Sequence, residues 1–122
     1  MGSNRNIQEE GVKKIQFSIS GTTKNWLTGE ETFETRERTG WLHDSGLFAV
    51  HRTLDKWGIT HLKTGYSCGV ITLKRYAALE ACDYLAKVKG WDKIYIRKNK
   101  PVFPKGFRDK VKKQIDKFWR KS

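Results

Sequence analysis

Apolar and polar residues alternate at Ile15, Phe17 and Ile19, set between Lys14, Gln16 and Ser18, and this period of two predicts a half-buried strand. Residues 1–12 before it are polar and aperiodic and read as a flexible N-terminal arm. Gly21 to Asn25 is turn material, and Thr32, Phe33 and Thr35 mark a weak, exposed strand within the charged stretch 30–39. The clearest organisation lies between Gly46 and Lys89. Leu47 to Leu54 alternates around Val50, Asp55-Lys56 is a short turn, and Trp57 to Leu62 is the next strand. Lys63-Thr64-Gly65 is a tight turn in which Gly65 is free to adopt positive φ, and Tyr66 to Ile71 is a further strand. Thr72 is placed as an N-cap. From Leu73 the period becomes helical, with Ala78, Ala81, Cys82 and Leu85 on one face and Gly90 as the stop.

The last quarter has its own pattern. Lys93 to Arg97 reads as one more strand and Lys98 to Phe103 as a basic connector, punctuated by Pro101 and Pro104. Pro104 suits the first turn of a helix running from Lys105 to about Arg120, whose apolar face is Phe107, Val111, Ile115 and Phe118. The expected fold class is α+β: an antiparallel sheet of four or five strands packed by one helix, Leu73–Lys89, with a basic amphipathic C-terminal helix beside it. The 122-residue chain divides into the arm, 1–12, and one domain, 13–122, with a basic C-terminal region at 93–122.

Composition removes several classes. No run of about 18 apolar residues is present, so no membrane span is expected. No apolar signal stretch opens the chain, and Asn6 stands where a myristoylation pattern after Met1-Gly2 needs Ser or Thr. Cys68 and Cys82 make neither a disulfide framework nor a metal quartet, which points to a reducing, intracellular protein with no cofactor.

Charge changes the picture most. The chain carries +12, and residues 93–122 hold twelve Lys/Arg against two acids, leaving +10 there and +2 on the rest. On the last helix Lys110, Lys113, Lys117 and Lys121 form one stripe at about 100° per residue, flanked by Arg120. Like charges at this spacing cost an isolated helix a few tenths of a kcal/mol per pair, so their retention points to a polyanionic partner. A plainly solvated face is the alternative, and Asp109 and Asp116 on the same helix favour it. Arg97, Lys98 and Lys100 on the connector join the candidate phosphate contacts, while Tyr95 and Phe103 beside them read as core.

The three-strand segment is a second candidate surface, bearing Arg52, Trp57, His61 and Lys63. Cys68-Gly69-Val70-Ile71-Thr72, followed by Ala77 to Ala86, resembles the third strand and helix of AP2-type DNA-binding domains, an arrangement that integrase arm-binding domains share. The resemblance spans residues 47–86 and implies a three-stranded sheet in the DNA major groove with the helix behind it. By position it makes Arg52, Trp57, His61 and Lys63 sheet-borne contacts, with a core position as the alternative for Trp57. The first two strands here lack the dense arginines of that family's pattern.

The function expected is therefore non-catalytic binding to nucleic acid, DNA ahead of RNA, with a regulatory role in a phage or mobile element as a setting for such small basic domains. An inhibitor or adaptor that uses the same cations on an acidic protein surface, such as a nucleic-acid-processing enzyme, is the alternative. A small nuclease is the third reading: His43, His51 or His61 would act as acid or base, with Asp44 or Asp55 as orienter. No phosphate loop, nucleophile elbow or metal spacing accompanies them.

Overall fold

The computed structural model describes residues 13–24 and 27–121, with backbone alone for 22–24. The N-terminal arm and Asn25 of the first turn lie outside the described residues. Five antiparallel strands follow one another in a meander: β1 (Lys14–Lys24), β2 (Glu31–Leu42), β3 (Phe48–Thr53), β4 (Lys56–His61) and β5 (Ser67–Thr72). Helix α1 (Arg75–Leu85) packs on one face of this sheet, and helix α2 (Phe107–Lys121) packs against α1. The class is α+β, with five strands in the main sheet. Among the described residues no helix is long and apolar enough to cross a membrane.

Alternation decides what each sheet face buries. Phe48 and Val50 on β3, Ile59 on β4 and Val70 on β5 meet Ala78, Leu79, Cys82 and Leu85 of α1 in one cluster, which Phe107 and Phe118 of α2 extend. Complete burial of side chains such as Phe48, Ile59, Leu79 and Leu85 contributes about 1.5–3 kcal/mol each. The opposite face is covered as well. Ala49, His51 and Thr60 are buried there, and Phe17 of β1 lies over His51 with ring centroids 5.4 Å apart. The Ser20 N–H donates to the Gly65 carbonyl at 2.6 Å, which ties β1 to the β4–β5 turn.

The first hairpin differs most from the sequence pattern. The predicted turn at 21–25 is strand as far as Lys24, and the weak strand at 30–39 is a twelve-residue β2. Eleven residue pairs join β1 to β2, whereas β2 meets β3 only through Trp41–Val50 and Leu42–Ala49. Gly40 marks the crossing: an added Cβ would lie 2.5 Å from the Val50 carbonyl and 2.9 Å from the Phe17 ring. The long pairing gives polar, charged residues a ladder that their local propensity does not announce.

Helix α1 stops at Leu85 rather than Lys89. Its hydrogen bonds tighten to Lys87–Tyr84 and Val88–Leu85, and the Trp91 indole N–H donates to the Leu85 carbonyl at 2.9 Å. Burying Val88 and Trp91 thus competes with another turn of helix and wins. Gly90, at φ 114, opens a 3₁₀ turn at Trp91–Lys93 instead of ending the helix. Thr72 is not the N-cap either. Lys74 holds that position without a side-chain bond, and the Thr72 hydroxyl donates to the Lys74 carbonyl.

The basic connector is itself structured. Tyr95–Arg97 (β6) and Lys100–Val102 (β7) form a separate two-stranded hairpin, so the strand predicted at 93–97 starts late and stays outside the main sheet. Lys98 and Asn99 make its two-residue turn at φ 52 and 62, the left-handed geometry that suits the twist of a tight hairpin.

Candidate nucleic-acid interface

The hairpin and α2 are joined by aromatic rings. Phe103, just after β7, stacks on Phe107 at the start of α2, with centroids 6.0 Å apart and planes 9° apart. The Arg108 guanidinium sits 5.7 Å from the Phe103 ring centroid. At the other end of the hairpin, the Tyr66 hydroxyl donates to the Asn99 carbonyl, which holds the turn against the start of β5. Phe103 is partly exposed and anchors this junction rather than the core, and Tyr95 is exposed on the hairpin, so neither is the core residue the sequence pattern predicts.

Helix α2 docks through Phe107 and Phe118, each 3% exposed, with Val111 and Ile115 half-buried between them. Its cations lie on two flanks. Lys121 reaches α1 and pairs with Glu80 at 3.4 Å, a hydrogen bond that raises its pKa. Lys110, Lys113, Lys117 and Arg120 are exposed, so four of the five predicted helix cations face solvent and one is engaged within the protein. On the other flank Arg108 and Lys112 border a cavity beneath the hairpin. Those two cations were not singled out in the sequence. Their four-residue spacing, in phase with Ile115, was the available signal.

Arg97, Lys98 and Lys100 are exposed around the hairpin turn, where Lys98 takes a backbone conformation that side chains bearing a Cβ rarely hold. The sheet-borne candidates are arranged differently. Arg52 lies over Trp57 at 5.4 Å, and Arg75 of α1 lies 4.5 Å from Trp41, whose ring meets Trp57 edge-on. Trp57 is only half-buried, beneath these guanidinium groups. Lys63 is exposed and donates to the Asp92 carbonyl of the 3₁₀ turn. His61 corrects the expectation of an exposed contact: it is 3% exposed, packed on Phe48 and Trp91, with Nδ1 bonded to Thr64 Oγ1 at 3.0 Å. The residue falls on the helix side of β4, where it becomes core. Burial, with Lys63 adding to it, lowers its pKa.

The sheet face that the resemblance to AP2-type domains implies to be free is covered in part by β1, where Phe17 lies over His51, while Ile71 of β5 is 44% exposed. The three histidines lie apart, in three surroundings. His51 Nε2 meets Thr60 Oγ1 at 2.8 Å, and burial lowers its pKa, with Arg38 acting in the same sense. His43 is bonded at both nitrogens, to Ser45 Oγ at 2.8 Å and Asp83 Oδ1 at 2.7 Å. Neither Asp44 nor Asp55 fills that place. The Ser45 N–H also donates to Nδ1, so Nδ1 accepts and the Nε2 proton goes to Asp83. The Gly46 and Leu47 amides are used by His43 O and Ser45 Oγ, so this triplet clamps the β2–β3 turn onto α1 and leaves no adjacent amide pair for an oxyanion.

Burial pushes the Cys68 thiol up to about 12, so it behaves as a small apolar group. Among the described residues no group of three or more His, Cys, Asp or Glu is placed to hold a metal ion. No protein-family model, curated protein or solved structure significantly matches the chain.

Proposed function

We propose that this protein binds nucleic acid without catalysis, through the surface that the β6–β7 hairpin and α2 form together. The observation that carries the reading is the Phe103–Phe107 stack. It joins two basic segments, separate in sequence, into one surface, with a cavity between the hairpin and α2. Arg97, Lys98 and Lys100 stand exposed around the hairpin turn, and Arg108 and Lys112 border the cavity from α2. Lys110, Lys113 and Lys117 extend the positive field along α2. Such cations release counterions on meeting phosphates, and this drives tight, salt-sensitive association.

Titration of labelled DNA and RNA at several salt concentrations tests the reading. Affinity falls steeply with salt, and charge reversal at Lys98 or Lys112 weakens binding and reduces the slope by about one each. Absence of binding to either polymer at low salt overturns the reading and leaves an acidic protein surface as the partner for the same cations.

A further inference from the structure

The cavity between the hairpin, α2 and the β4–β5 turn has a volume of about 260 Å³, below the roughly 300–1,000 Å³ typical of sites for drug-sized ligands. It therefore holds one ring system rather than a whole nucleotide. Its apolar walls include Trp91, Phe103 and Phe107, and these rings are mutually ordered: Trp91 meets Phe107 edge-on at 4.8 Å, and Phe107 lies parallel to Phe103. Flat, rigid walls of this kind match a planar ring better than a flexible hydrocarbon chain.

Polar atoms on the lining point to the chemistry of that ring. His61 forms part of the wall, and its Nδ1 bond to Thr64 is its only side-chain hydrogen bond among the described residues. Its Nε2 edge remains available as a donor or acceptor. Ser67 Oγ accepts the Gly69 N–H, which leaves the hydroxyl proton to donate. A hydrocarbon occupant would leave the buried His61 edge unsatisfied, whereas the edge of a nucleobase offers matching donors and acceptors to it and to Ser67. Arg108 and Lys112 at the border supply charge complementary to a phosphate.

We propose that this cavity takes in one unstacked base of a single-stranded nucleic acid, with the adjoining phosphate held by Arg108 and Lys112. The inference rests on the nucleic-acid reading above and adds that the protein prefers unpaired strands. Base stacking on aromatic side chains is large enough for a preference of at least about ten-fold over duplex.

The test compares a ten-nucleotide single strand with the same sequence as duplex, for the unaltered protein and for Ser67→Trp and Val111→Phe, which fill the cavity from its edge and its wall. Nuclear magnetic resonance shifts of the His61 and Trp91 rings on adding a nucleoside 5′-monophosphate, and then octanoate, report the occupant directly. We expect tighter single-strand binding and loss of that preference in both variants, with duplex binding unchanged. Ring shifts should follow the nucleotide and not octanoate. Equal affinity for the two forms, or a preference that survives both substitutions, overturns the inference and leaves the phosphate-binding reading standing. Octanoate shifting the rings where the nucleotide does not also overturns it. Failure of both polymers to bind overturns the function itself.

Discussion

Phe103 lies nearly parallel to Phe107, and this pair fixes how the β6–β7 hairpin sits on α2. Replacing Phe103 with Ala removes an aromatic contact worth about 0.5–1.5 kcal/mol beyond its buried area. We expect a loss of stability of about 1–2 kcal/mol, read by denaturant unfolding, together with weaker nucleic-acid binding. Stability loss with unchanged binding would separate the hairpin from the interface.

Lys98 holds φ 52 at the hairpin turn. Left-handed backbone costs a residue with a Cβ about 1–2 kcal/mol, and Asn tolerates it better. Lys98→Asn should therefore raise stability by about 0.5–1 kcal/mol while lowering affinity for nucleic acid. A protein that gains stability and binds as before would show that Lys98 is a turn residue only.

Leu54 is the matching control. It is 95% exposed at φ 57 in the β3–β4 turn, far from the basic surface in sequence. Leu54→Gly relieves the same strain, by about 1 kcal/mol, and should leave binding untouched. Thermal unfolding and the salt titration measure both outcomes.

The strands of the meander were legible because Val50, Ile59 and Val70 alternate with polar neighbours and the helix face of α1 repeats at Ala78, Cys82 and Leu85. The apolar seam of α2 was legible for the same reason, and with it the exposure of Lys110, Lys113 and Lys117. Long-range choices were not legible. Glu31 to Thr39 gives only the weak strand signal of Thr32, Phe33 and Thr35, and the full length of β2 depends on pairing along the whole of β1. His61 gave the signal of an exposed residue beside a turn, and its burial follows from the position of Trp91, thirty residues later. The cavity flanked by Arg108 and Lys112 required the hairpin to fold back on α2, which no periodicity encodes.

Gly40 tests the covered sheet face. Because an added Cβ would collide with the Val50 carbonyl and the Phe17 ring, Gly40→Ala should cost about 1–3 kcal/mol by overpacking. A neutral outcome in denaturant unfolding would mean that β1 does not press on β3 there.

Acid should weaken the fold through His51 and His61. Burial lowers the pKa of each below 6.5, so the unfolded chain binds protons first as pH falls. Stability attributable to these groups is fully present above the unfolded value of about 6.5, and is lost as pH falls through the folded values. Unfolding temperature followed from neutral pH down to about pH 5 should decline, and less steeply in His51→Gln. An unchanged slope in that variant would assign the acid sensitivity elsewhere.

Eleven residue pairs hold β1 to β2, but two hold β2 to β3. Cooperativity follows contact density, so the outer part of the ribbon forms an opening unit of its own, below the global unfolding free energy. Amide hydrogens there would exchange with solvent sooner than those of β3, β4 and α1. A wider opening, one that released Phe17 and Ser20 as well, would uncover Ala49, His51 and Thr60 while the helical side of the sheet stayed folded.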